Sequence, residues 1–238
     1  MSINRSQITS WSWAQFAQYI QSQNGRILKN PKYSPLPVFG ARGRWSYVDE
    51  LKTCLNDFAQ FPQFAKMPLD KRKRAAGTLS PDTDRWFGWM GAAGRFMSLV
   101  NNYPENLGQW LDAIPSQAPL TSTDITQYLH GMLRLPGVGL STATRLLAMK
   151  RPDYCMPITT TNYQKLQLVF GQFCPRLRLS NKSANEIHDV AGQYVTFLSQ
   201  IWSAPWWNAP VPQNPPWEHD IWLGRVAMLD TIFYDPEG

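Results

Sequence analysis

The chain has 238 residues, 43% of them hydrophobic and 17% charged, and a formal net charge of +6. At about 150 residues per domain, that length suits one domain of two lobes or two small ones, and it can bury a core without metals or disulfides. The composition excludes a disordered chain, no apolar run reaches the ~20 residues that span a bilayer, and the basic balance suits a polyanionic partner without requiring one.

Cys54, Cys155 and Cys174 stand far apart with no CxxC spacing. This excludes a four-thiolate metal or iron–sulfur site within one chain and argues against a disulfide framework. No basic-then-apolar signal opens the sequence, so a cytoplasmic protein is the expectation. The eleven tryptophans can fill a core or stack on bases.

In chain order, Trp13, Phe16, Ala17 and Ile20 recur at helical spacing within residues 10–22. Proline and glycine dominate from Asn30 to Gly43, a loop or short strand pair ending in the basic Arg42-Gly43-Arg44. Val48, Leu51, Leu55, Phe58 and Ala59 mark a second helix, stopped near Pro62. The run DKRKR at 70–74 reads as a solvated face or, alternatively, as a phosphate contact. Thr83 to Val100 suits a helix that Gly88, Gly91 and Gly94 weaken.

After the loop at 115–123, Ile125, Tyr128, Leu129, Met132 and Leu133 form an apolar stripe with Thr123 as N-cap. Residues 183–202 form another, through Ala184, Ile187, Ala191, Tyr194, Val195, Leu198 and Ile201. The segment SAPWWNAPVPQNPP is too rich in proline for helix or central strand and belongs on the surface or between lobes. A last amphipathic piece, Trp217 to Phe233, can pack back on the body. The pattern predicts a mostly α fold with little β-structure.

Between two helical stripes lies Leu135-Pro136-Gly137-Val138-Gly139-Leu140-Ser141-Thr142-Ala143-Thr144. A hairpin this short makes its two helices pack on each other. Gly137 and Gly139 permit positive φ and close approach, and Val138 can plug into the helix pair. The amides of Gly139, Leu140, Ser141 and Thr142 open the second helix, where unpaired N–H groups and the helix dipole favour an anion such as a DNA phosphate. Ser141 and Thr142 add hydroxyls. The bland alternative is an ordinary helical hairpin that happens to use glycine.

Residues 124–170 resemble the helix–hairpin–helix core of the HhH-GPD superfamily of DNA glycosylases, through LPGVG–TA–LL at 135–147, Arg151-Pro152-Asp153 and Met156-Pro157-Ile158. The resemblance implies a two-lobed helical fold with the active site in the interlobe cleft. Residues 1–120 would then form an N-terminal helical region within the first lobe and 121–204 the hairpin lobe. Residues 205–238 would be a Pro/Trp-rich segment and C-terminal helix packing back. It also implies bending of double-stranded DNA and extrusion of a nucleotide, with Trp86, Trp89, Trp206 and Trp207 as candidates for the base pocket or wedge. For any one of them, core or lobe packing is the simpler role.

The chemistry implied is cleavage of an N-glycosidic bond through an oxocarbenium-like sugar, stabilised by a carboxylate that also activates water. In the family that carboxylate is an aspartate in a P-V-D-T-like turn after the hairpin. The matching turn here is Pro157-Ile158-Thr159-Thr160-Thr161-Asn162, and the aspartate's place falls on Thr159, which carries no charge. Thr159 or Asn162 can hold a water instead, Asp153 can supply the carboxylate, or Glu218 or Asp220 can enter the cleft, with His219 and His188 as conceivable proton donors. The Schiff-base lysine of bifunctional members is matched by Ser141, so no lyase activity is expected. The expectation is therefore a monomeric, cofactor-free monofunctional glycosylase acting on a damaged or modified base, in DNA repair or in antiviral defence against phage DNA carrying bulky modified cytosine. The alternative is a helix–hairpin–helix DNA-binding module without catalysis.

Overall fold

Asn4 and Ser12 each accept from the amide three residues on, and Gln7 and Gln15 reciprocate from their side chains, so the N-terminal stripe is cut into α1 (Arg5–Ser10) and α2 (Trp13–Ser22). The structure is a computed structural model that describes residues 3–40 and 44–236. Arg42 and Gly43 of the basic segment lie outside the described residues. Residues 30–40 form turns and irregular backbone. Ser46 caps α3 (Tyr47–Gln60), which buries Val48, Leu51 and Phe58 and ends before Pro62.

The basic run lies on α4 (Leu69–Ala76) and is more committed than a solvated face. Lys71 donates to Asp57 at 2.5 Å and Arg74 lies 3.7 Å from the same carboxylate. Arg72 donates to the carbonyls of Ala65, Met67 and Val100. The run therefore fastens α4 to α3 and to the adjoining chain.

The helix expected from Thr83 starts late. Residues 81–93 are turns, and α5 spans only Gly94–Asn102. The reason is local: Phe87 and Gly88 both take positive φ, +65° and +95°, which no right-handed helix accommodates. α6 (Pro104–Leu111) comes next, with proline in its first turn. α7 (Ser122–Arg134) is capped by Thr121 rather than Thr123, because Thr121 and Asp124 form the reciprocal pair. The hairpin leads into α8 (Leu140–Lys150), then α9 (Tyr163–Phe170) and the long α10 (Ala184–Trp202). The chain closes with α11 (Pro216–Leu223) and α12 (Asp230–Phe233).

The fold is mostly helical, with no strand among the described residues. α7 packs along α10, α8 lies against α3 and α4, and α5 joins α4 to α6. α11 rests on α2 and α3, and α12 on α9. One apolar core runs through all of these elements. The proline-rich segment, expected on the surface or between lobes, enters the core at one point. Trp206 is fully buried, its ring stacked on Phe16 with centroids 4.0 Å apart and its Nε1 donating to the Ile8 carbonyl. Stacking of this kind adds about 0.5–1.5 kcal/mol beyond the area buried. The prolines flank a core anchor that joins the two ends of the chain.

Arg145 holds the centre. It projects from α8 with no exposure, bonds Glu50 of α3 at 2.6 Å, and donates to the carbonyls of Arg74, Asp84, Trp86 and Gly88. The irregular 84–88 segment thus owes its path to a side chain on the hairpin helix.

Candidate nucleic-acid interface

At the end of α7 the backbone turns at Gly137, φ +82°, where a Cβ would run into Arg95 and the Phe96 amide. Only glycine allows α5 to approach so closely. Val138 is completely buried between the helices, whereas Pro136 and Gly137 are exposed. The hairpin is therefore anchored by one side chain and presents its backbone outward.

The amides at the head of α8 divide into two groups. Gly139 N–H donates to Thr142 Oγ1 at 3.0 Å, and that hydroxyl donates back to the Gly139 carbonyl. The expectation that the Gly139 amide and the Thr142 hydroxyl both face a ligand is corrected: they satisfy each other. The amides of Leu140, Ser141 and Thr142 lie in the first helical turn, where no intrahelical acceptor exists. Leu140 itself is buried as a side chain, and Ser141 is half-buried.

A residue that sequence reasoning missed organises this loop from beneath. Lys182 donates from Nζ to the carbonyls of Leu135 (3.1 Å) and Val138 (2.5 Å). Its backbone has φ +54° and its amide is held by Glu186, which also takes the amides of Ser180 and Asn181. The ammonium thus satisfies two hairpin carbonyls, while the first-turn amides of α8 have no partner among the described residues. Beside the hairpin, Arg95, Leu99, Tyr103 and Pro136 line an open cavity of about 360 Å³, and Tyr103 is 57% exposed.

The turn at 157–162 is closed rather than open. Thr159 and Asn162 are 2% and 1% exposed. Asn162 Oδ1 accepts from the Thr159 amide, and its Nδ2 donates to the Pro157 carbonyl and to Asp230 Oδ1 at 2.6 Å. The Thr159 and Thr161 hydroxyls lie 2.9 Å apart. Gly88 covers Thr159 so closely that a Cβ there would sit 2.5 Å from the Thr159 methyl.

Asp230 is the carboxylate that this turn reaches, and nothing in the local sequence announced it. It is fully buried, with Asn162 on Oδ1 and the Tyr47 hydroxyl on Oδ2 at 2.8 Å. Burial pushes its pKa up, against the hydrogen bonds of Asn162, Tyr47 and the Phe87 amide, which favour the ionised form.

The other candidates are occupied elsewhere. Asp153 forms a two-pronged pair with Arg151, both contacts at 3.0 Å, while Arg151 also donates to the carbonyls of Pro115 and Ala118. It ties down a loop and is no free carboxylate. Glu218 accepts from Trp13 Nε1 and Asp220 pairs with Lys52. His219 stacks on Trp222 and His188 meets His130.

The four tryptophans separate by exposure. Trp206 belongs to the core, and Trp86 is 3% exposed with its Nε1 on the Trp45 carbonyl. Trp207 is half-buried, donates to the Asp153 carbonyl, and lies under Arg225. Only Trp89, 45% exposed and folded over Gly91, presents a ring to solvent next to Gly88.

No helix among the described residues is long and apolar enough to cross a membrane. No family model matches the chain, and no curated protein or solved structure matches it.

Proposed function

We propose that this chain binds double-stranded DNA through the Leu135–Thr142 hairpin and acts as a monofunctional glycosylase on a modified base. The observation that carries the binding half is the exposed hairpin at Pro136 and Gly137, beside which the first-turn amides of α8 have no partner among the described residues while Lys182 satisfies the Leu135 and Val138 carbonyls. A phosphate on those amides gains charge-assisted hydrogen bonds and the favourable end of the helix dipole. The net charge of +6 draws the duplex in.

The excision half is supported by Asp230. Where the resembling family has an aspartate, this chain has Thr159, joined through Asn162 to a buried carboxylate from α12. Burial raises its pKa above the ordinary carboxylate value, which favours a carboxyl that can hold and release a proton at this turn. Trp89 is the exposed ring nearest in sequence to Gly88 and would meet an extruded base. A second reading, DNA binding without catalysis, is favoured by the closure of Thr159 beneath Gly88 and by the full set of donors on Asp230.

One assay separates them. The protein is incubated with duplexes carrying a panel of damaged and modified bases, bulky modified cytosines of phage DNA included, and then treated with alkali. Breaks that appear only after alkali are expected for monofunctional excision. Silence across the panel, with binding that weakens as salt rises, supports the module alone. Binding that ignores salt overturns both readings.

The hairpin has its own test in Gly139→Val. A Cβ at this position meets nothing within 4 Å, and its φ of −109° suits any residue, so the variant is expected to melt as the parent does. The branched side chain obstructs phosphate contacts of about 1.5–3 kcal/mol each. Duplex affinity is expected to fall about tenfold or more, equally for unrelated sequences. Fluorescence anisotropy with two unrelated duplexes measures this, and an unchanged affinity removes the hairpin from the interface.

A further inference from the structure

One cavity of about 270 Å³, lined by no residue of the hairpin or of the 157–162 turn among those described, combines positive charge with aromatic walls. Lys32, Arg44 and Arg85 supply the charge, and Tyr33, Trp45 and Trp86 the rings. The one carboxylate among its described lining residues, Asp82, is 78% exposed and pairs with Arg85 at 2.9 Å, so solvent screens it. The lining therefore keeps a net positive character.

The walls are fixed in advance. Trp86 Nε1 donates to the Trp45 carbonyl, and Trp45 Nε1 donates to Glu50. The Arg85 guanidinium lies between rings, 5.3 Å from the centroid of Tyr33 and 5.4 Å from that of Trp86. It donates to the Lys32 carbonyl at 3.2 Å, while its buried Nε meets no acceptor among the described residues. Arg44 is exposed and donates to the Ser34 carbonyl through one nitrogen. A ligand arriving here finds ordered rings and guanidinium donors, so it loses little affinity to side-chain ordering.

We propose that this cavity binds one nucleotide unit, a nucleobase carrying a phosphate. The planar base matches the half-buried rings of Tyr33 and Trp45, since every base offers a π-face, while the buried Trp86 supports the wall behind them. The phosphate matches Arg44, Arg85 and Lys32, whose donors suit its oxygens. The volume lies just below the ~300–1,000 Å³ of ordinary small-molecule pockets, which suits one such unit and not a longer stretch. The shared chemistry has two sources, a free nucleoside monophosphate or an unpaired nucleotide of a strand. The inference stands on the cavity alone and not on the hairpin.

The test is calorimetric titration of the intact chain with deoxynucleoside monophosphates, the corresponding nucleosides, inorganic phosphate and a five-nucleotide single strand. The same titrations are run on Arg44→Ala, whose exposed site leaves the melting temperature unchanged. The expected result is binding of monophosphate or strand at least tenfold tighter than nucleoside or phosphate alone, weakened about tenfold or more by Arg44→Ala. Monophosphate as tight as the strand identifies a free nucleotide, and a strand more than tenfold tighter identifies a strand nucleotide. Phosphate as tight as the monophosphate, no binding, or binding indifferent to Arg44→Ala overturns the proposal. No duplex enters the measurement, so its failure leaves the hairpin reading to be judged separately.

Discussion

Arg145→Met is expected to destabilise the protein by about 3–5 kcal/mol, the cost typical of stranding one partner of a buried ion pair. The loss exceeds what a surface arginine would give, because five acceptors depend on one side chain: Glu50 and the carbonyls of Arg74, Asp84, Trp86 and Gly88. Burial already pushes the Glu50 carboxyl up to about 7 against the pull of Arg145. Without that pull the folded carboxyl holds its proton to still higher pH, while the unfolded one releases it near its ordinary value. Stability of the variant is therefore lost as pH rises through the folded pKa, and its deficit against the parent is smaller at pH 5 than at pH 8. Glu50→Gln combined with Arg145→Met is expected to recover part of the loss and flatten its pH dependence. Urea unfolding at the two pH values reads both effects. A deficit under 1 kcal/mol would mean that the 84–88 segment holds its path without Arg145.

In the excision assay, Asp230→Asn is expected to lower the rate by about 10²–10⁴-fold, the usual worth of a positioned acid or base. The substitution keeps the size of the side chain and removes its charge. Duplex affinity is expected to stay within about twofold, because the carboxylate is buried behind the turn and away from the hairpin. The split between rate and affinity is the informative part. Equal losses in both would point to a structural role in holding Asn162 and Tyr47. An unchanged rate would take Asp230 out of the chemistry.

The sequence made visible whatever depends on neighbours along the chain. The stripes of α7 and α10 arise from 3.6-residue periodicity, and the hairpin from glycines two residues apart between such stripes. What it concealed was settled over distance. Gly88 marked a weak point in the expected helix, but Phe87 takes positive φ without being glycine, so the full break that delays α5 to Gly94 was hidden. The segment around Trp206 reads as surface or interlobe chain because its prolines cannot form helix, and the core role that is the simpler reading of Trp206 itself is the one its stacking on Phe16 shows. Arg145 reads as an ordinary helical cation until Glu50 is placed beside it. α9 escaped notice because Leu168, 85% exposed, blurs the spacing of Leu166 and Phe170.

The candidate site divides in the same way. The hairpin residues are contiguous and could be read directly. The network behind Thr159 joins Tyr47, Asn162 and Asp230, residues that only the closed fold brings together. Asp153, by contrast, was attractive by position alone, and its pairing with the adjacent Arg151 leaves it no further reach.

The bonds from Lys182 to the hairpin carbonyls give the loop a tethered ammonium donor of its own. The bend between α7 and α8 is thereby latched to the entry of α10, although 44 to 47 residues of chain separate them.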